Sequence, residues 1–507
     1  MSSHPVDGVA PEIDVLAVAL PRQDPLRAVE EAASWLRARR EAASQDRQNA
    51  FEVIDHIDEL TQGHRMRLLR DYLASGGRLQ SRRQRRIVEA TIAYAAELAD
   101  SYASCLQPAS GTAPVTLVAA LAARGIRART LQLRWTLLHY AAPEASLWRG
   151  MHSLFADCER LGIDAVRFKL YEAMATESTI RREYLRALML AVSAVAGLLP
   201  TGQAAAERVI ASLSEYFVIH HRPNAACHFV VDLRSAWSPQ RRFDRSLEGE
   251  HLRFFGAGDA VAKLRAWAQE IEATGRVPAE AGLGGYEPAL VHEVLLHLER
   301  HWGPAPPRRQ HERVRILRTL HVARGFDAAC RALADREPLP GDARTTESWT
   351  TEDESATGFG AFLKMREGDD FAVGDLVAAR GERPGPWRIG VIRRLSTRDN
   401  GYHSLGVQVL AFGALRVDLV PAYADATAET TLAALLVPAH GSPAHGLEVK
   451  QPEVVLLVLP ATARPRGSSW RMLVHEQMYL LRDPEVDEVG GDYQTVRFIV
   501  SKAPSEG

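Results

Sequence analysis

Apolar positions along this chain recur with two different periods, and the change from one to the other divides it. From Asp24 to Trp302 the spacing is helical. Asp24-Pro25 supplies an N-cap and a proline at the first helical position, and Leu26, Val29, Ala33 and Leu36 follow on one face. Residues 92–106 and 184–199 carry apolar stripes too broad for a lone surface helix, so they predict helix packed on helix. After the Gly282-Leu-Gly-Gly285 break, Pro288 starts a further helix lined by Leu290, Val291, Val294, Leu295 and Leu298. Residues 303–307, Gly-Pro-Ala-Pro-Pro, resist helix and central strand alike and read as a linker. Beyond them the period drops to two. Trp387/Ile389/Val391, Leu405/Val407/Val409 and Leu415/Val417/Leu419 alternate with other residues, as half-buried strands do, and Asp399-Asn400-Gly401 reads as a hairpin turn. A second strand-rich region follows Pro421, with Val496/Phe498/Val500 near its end. The expected fold is therefore α+β and multidomain: an α-helical domain (1–302), a linker (303–307), a small β-barrel (308–420) and a further small β domain (421–507).

Composition narrows the function. A net charge of −2 offers no global field to steer the chain to DNA, RNA or an anionic membrane, so any anion site must be local. Four scattered cysteines without a Cys-x-x-Cys pair fit reduced thiols in a cytoplasmic protein. The longest nearly apolar run, 187–199, is shorter than a membrane span, and the N-terminus lacks the basic run of a secretory signal. No P-loop, Gly-x-Ser-x-Gly or zinc-ligand spacing is present, so no catalytic residue, metal or cofactor is expected. His292 and His297 stand one residue too far apart for a zinc-protease helix and read as helix surface. His220, His221, Cys227 and His228 lack a zinc spacing and read as structural. Arg82, Arg83, Arg85 and Arg86 read as a solvated helix turn.

One polar stretch does carry chemistry. In Trp349-Thr-Thr-Glu-Asp353-Glu-Ser355-Ala-Thr-Gly358, the strand period places the Asp353 carboxylate and the Ser355 hydroxyl on one face, and Gly358 admits close approach of another group. Upstream, Arg309 and Arg313 are spaced Arg-x-x-x-Arg, with Arg308 beside them. That spacing means little alone, because arginine supplies most of the 61 basic residues and Arg82/Arg86 and Arg182/Arg186 match it too. Arginines, strands, Asp353-x-Ser355-x-x-Gly358 and more strands, in that order, resemble the PilZ domain, a receptor for the bacterial second messenger cyclic di-GMP. The multidomain layout is similar to that of FimW-type PilZ-like effectors linked to type IV pili. The resemblance implies that Arg308, Arg309, Arg313, Asp353, Ser355 and Gly358 contact cyclic di-GMP, and that a helical output domain engages a protein partner, such as pilus or motility machinery. Guanidiniums suit its phosphates and purine faces, and a carboxylate suits the guanine N1–H and N2–H edge. The Arg313–Asp353 separation exceeds that of compact PilZ domains, which places an inserted helix in 326–340; Arg393 and Arg394 could substitute for a missing arginine contact. The competing expectation is a non-enzymatic interaction scaffold whose barrel binds no nucleotide.

Overall fold

The computed structural model describes residues 20–42, 47–74, 82–106, 114–171, 176–243, 247–305, 312–334, 346–364, 371–382, 385–398, 402–422, 431–437, 453–465, 469–474 and 477–502. The chain divides into two units, Met1–Arg308 and Arg309–Gly507. The first unit begins with α1 (Pro25–Ala42), α2 (Arg47–Ala74), α3 (Arg82–Leu106), α4 (Val115–Leu138) and α5 (Ala145–Arg160). The Asp24 carboxylate caps α1 by accepting from the backbone N–H groups of Leu26 and Arg27, both at 3.1 Å. Val29, Ala33 and Leu36 are then buried as the spacing requires. α4 is the shared wall of this unit: Leu121, Ala128, Trp135 and Leu138 join a core with α1 to α3. Ala122, Ile126 and Leu133, on its other side, join a second core.

A two-stranded ribbon of β1 (Phe168–Lys169) and β2 (Glu177–Ser178) follows, and then α6 (Ile180–Val192) and α7 (Pro200–Ser212). Here the structure departs from an unbroken helical reading. β3 (Val218–His220), β4 (Phe229–Asp232), β5 (Gln240–Arg241) and β6 (Leu252–Gly256) form an antiparallel sheet of order β3-β6-β4-β5. The Phe229-Val-Val231 run alternates in burial, so its period is two, and four residues are too few to reveal this against a helical background. Gly256 lets the chain close on itself: a Cβ there would lie 2.1 Å from the Ala226 carbonyl oxygen. α8 (Ala260–Thr274) and α9 (Pro288–Trp302) complete the unit, with Val291, Val294, Leu295 and Leu298 buried on one face of α9.

The second unit holds two closed six-stranded barrels. The first takes β7 (Thr319–Arg324), β8 (Glu347–Ser355), β9 (Gly358–Lys364), β10 (Leu376–Gly381), β11 (Arg388–Arg398) and β12 (Tyr402–Phe412), in the order β10-β11-β12-β9-β8-β7. The second takes β13 (Leu415–Pro421), β14 (Leu432–Val437), β15 (Glu453–Pro460), β16 (Trp470–Val474), β17 (Gln477–Val489) and β18 (Tyr493–Lys502), in the order β13-β14-β15-β18-β17-β16. The chain changes barrel at Gly413, which takes φ +81°. β13, which alternation alone attaches to the first barrel (308–420), therefore pairs with β14 and β16 and opens the second. The expected insert is helical as far as it is described: α10 (Phe326–Ala334) packs Phe326, Ala329 and Cys330 into a core that also takes Leu435, Val458 and Tyr493 of the second barrel. The Asp399-Asn400-Gly401 turn lies outside the described residues. Among the described residues no helix is long and apolar enough to cross a membrane.

Candidate ligand-binding site

β8 sets the site through an irregularity. Its register against β9 shifts between Thr351 and Asp353, so Glu352 is the extra residue of a β-bulge. Opposed residues of antiparallel strands share a face, so Thr351 opposite buried Ala361 and Glu354 opposite buried Phe359 both face the barrel interior. Asp353 opposite Gly360 and Ser355 opposite Gly358 share the outer face, as their spacing predicts. Glu354, turned inward by the bulge, is neutralised by ion pairs with Arg318 and Arg388. Arg388 is itself buried and lies over the Phe359 ring, 5.1 Å from its centroid. The sequence carried no sign of this half-buried ion pair, because a regular strand would have sent Glu354 outward.

The segment before β7 is stitched to β8. Val314 N donates to Glu354 O at 2.8 Å, Glu354 N donates back to Val314 O at 2.9 Å, and Thr351 N donates to Arg318 O at 2.9 Å. These bonds deliver Arg313 to Asp353, where Nη1 donates to Oδ1 at 2.6 Å. The same oxygen accepts from Gly360 N at 3.0 Å, and Oδ2 has no hydrogen bond among the described residues. Ser355 Oγ donates to the Gly358 carbonyl at 3.1 Å and closes the turn into β9, leaving its oxygen as an acceptor. Gly358 is dictated by closure of the barrel, since a Cβ there would sit 2.4 Å from the Val407 carbonyl oxygen.

Register extends the site across four strands. Asp353 opposes Gly360, Gly360 opposes Gly406, and Gly406 opposes Arg394. Two glycines thus form a bare floor between a carboxylate and a guanidinium. Arg394 folds over that floor, its Nε 3.2 Å from where a Gly406 Cβ would lie, and it has no ion pair among the described residues. Phe362, two residues beyond Gly360 on the same face, packs edge-on against Tyr402 at 6.0 Å and makes an aromatic shoulder. Arg393, in a second bulge, turns away: Nε donates to Gln408 Oε1 at 2.8 Å, and its fork grips Glu488 of the second barrel. Burial acts to raise the Glu488 carboxyl, but hydrogen bonds from Arg393 and Tyr493 and the Arg393 charge hold it below its ordinary range. Arg393 is therefore a fastener between barrels, whereas Arg394 remains available. Arg308 and Arg309 lie outside the described residues.

The remaining candidates disperse. His292 pairs with Glu272 at 3.1 Å, while His297 contacts the Ser193 carbonyl at 2.8 Å. His297 is thus a half-buried packing residue and not simple helix surface. Cys227 Sγ donates to the Phe254 carbonyl and His221 approaches Glu159 at 3.5 Å. Among the described residues no group of three or more His, Cys, Asp or Glu could hold a metal ion. Arg86 pairs with Glu30 of α1, which ties α3 to α1.

Comparison with known proteins adds one finding. Residues 13–224, about two fifths of the chain, match the family model FimW_N, described as the N-terminal domain of the cyclic-di-GMP receptor FimW. No curated protein matches the chain. The match lies wholly in the first unit and says nothing of the barrels. Over residues 13–224 the chain is similar to the FimW N-terminal domain.

Proposed function

We propose that the outer face of the first barrel is a PilZ-like cyclic di-GMP site, and that its occupancy is passed to a protein partner through the helical unit. The observation that carries this reading is the convergence of Arg313 on Asp353 at the edge of the Gly360/Gly406 floor, with Arg394 facing them across it. The free Oδ2 of Asp353 accepts from a guanine N1–H or N2–H, while Arg313 keeps unspent N–H groups for a phosphate. Arg394 serves the second phosphate or stacks on a guanine, Phe362 flanks a base, and Ser355 contributes one weaker hydrogen bond. Arg308 and Arg309 belong to the same basic run as Arg313 and complete the phosphate contacts. The protein is a non-catalytic receptor in this reading, acting in the cytoplasm, with pilus or motility machinery as the class of partner and no need of nucleic acid.

A second reading is favoured by the Arg313–Asp353 ion pair itself, which satisfies both groups in part without any ligand. In that case the barrel is an interaction scaffold. Calorimetric titration separates the two. Wild type should bind cyclic di-GMP in preference to cyclic di-AMP. Arg313→Ala, Asp353→Ala and Arg394→Ala should each weaken binding about ten- to a hundredfold, the worth of a charge-assisted contact of about 1.5–3 kcal/mol. Ser355→Ala should cost less, and the arginine effects should shrink at high salt. No binding by wild type, or equal binding by all variants, selects the scaffold.

A further inference from the structure

A further unexplained feature lies in the helical unit, far in sequence from the motif residues. A cavity of about 610 Å³ opens between α2, α4, α6 and α7, and its size is that of small-molecule clefts, about 300–1,000 Å³. Its wall is unusual for helix packing. On α4, Arg127 and Arg134 stand two turns apart, about 10 Å, on one face where core helices carry apolar residues. Arg65 of α2 and Arg186 of α6 join them.

Two carboxylates of this wall are already occupied. Asp58, 1% exposed, accepts from Arg65 at 2.7 Å and from the hydroxyls of Tyr171 and Tyr102 at 2.7 and 3.2 Å. Glu183 accepts from Ser178 at 2.7 Å and from Arg186 at 3.2 Å. The surplus is of donors. Arg65 Nε, Arg127 Nη1 and Arg134 Nε are all buried without a hydrogen-bond partner. Arg127 Nη1 is 3.9 Å from Glu183, and Arg134 Nε, though 2.8 Å from Glu207, is out of line with it. These three N–H groups are sealed by packing and do not face the cavity, but its lining holds five guanidiniums against four carboxylates, a surplus of one positive charge that favours an anionic, acceptor-rich occupant. Leu69, Leu98, Leu131 and Trp135 add apolar lining, with Leu131 between Arg127 and Arg134 on the same face of α4.

We infer that this cavity is a second ligand site, which takes a small organic phosphate whose headgroup is gripped by Arg127 and Arg134 and whose apolar or planar body lies against Met66 and Leu131. The inference stands whether or not the barrel binds cyclic di-GMP, since it uses no barrel residue. Titration of the full chain with phenyl phosphate and GMP, beside phenol and guanosine at matched ionic strength, tests it. Both phosphates should bind and their uncharged counterparts should not. The Arg127→Gln/Arg134→Gln double variant should bind at least tenfold more weakly, Arg127→Lys should fall between, and Asp353→Ala should bind phenyl phosphate as wild type does. Circular dichroism of each variant separates lost contacts from lost fold, and Arg127→Lys keeps the charge where the double variant fails to fold. Absence of binding by both phosphates overturns the inference. So does unchanged binding by a folded double variant, or inorganic phosphate binding as tightly as phenyl phosphate.

Discussion

Gly358 and Gly360 sit two residues apart on the outer face of β9, and adding one methyl group to each should have opposite consequences. At Gly358 the new Cβ would meet the Val407 carbonyl oxygen at 2.4 Å, a backbone atom of β12 held by the sheet ladder. Relief requires β9 and β12 to part, and forced backbone shifts of that kind cost about 1–3 kcal/mol. At Gly360 the new Cβ would meet Asp353 Oδ1 at 2.7 Å, the end of a side chain that is 26% exposed and can swing into water. The half-buried ion pair with Arg313 is worth about 1 kcal/mol, and the reduced freedom of the unfolded chain returns about 0.4–1 kcal/mol, so the net change in stability is near zero. The displaced carboxylate can no longer meet a guanine edge, which should cost about ten- to a hundredfold in cyclic di-GMP affinity. Hydrogen exchange of peptides within 346–364, with titration of the same samples, reads both effects. Gly358→Ala should lose protection, while Gly360→Ala should keep protection and lose ligand. Equal loss of protection in both, or full affinity in Gly360→Ala, would refute the assignment of Gly360 to the site floor.

Two further outcomes follow from buried charge in the helical unit. Asp58→Ala leaves the Arg65 guanidinium and two tyrosine hydroxyls without their acceptor, so it should destabilise the unit by about 3–5 kcal/mol in urea unfolding; a loss below about 1 kcal/mol would show that the cluster is well hydrated. His301 is held down to about 4 from an ordinary value of 6.5, first by burial and then by the neighbouring His297, Arg300 and Arg241. Its folded-state value is depressed, so the unfolded chain binds more protons between these limits: the contribution is full above 6.5 and is lost as pH falls toward about 4. His301→Gln should therefore flatten the dependence of the urea midpoint on pH in that window, and an unchanged slope would remove His301 as its source.

The sequence by itself determined whatever depends on local period and local chemistry. Asp24-Pro25 begins a helix because cap and proline act within one turn, and Val291, Val294, Leu295 and Leu298 are buried because a 3.6-residue period places them on one face. The pairing of Asp353 with Ser355 on a strand face was likewise legible from alternation. Tertiary structure decided the rest. The bulge at Glu352 turns Glu354 inward toward Arg318 and Arg388, and a bulge is a property of two strands in register, which one strand cannot announce. Arg394 reaches the site only because β8, β9, β12 and β11 align Asp353, Gly360, Gly406 and itself in a single row. β13 joined the second barrel because ladder partners, and not alternation, assign a strand to a sheet. The arginine-lined cavity was invisible for the same reason: Arg65, Arg127, Arg134 and Arg186 come from three helices, and only the packing of those helices brings them to one cavity.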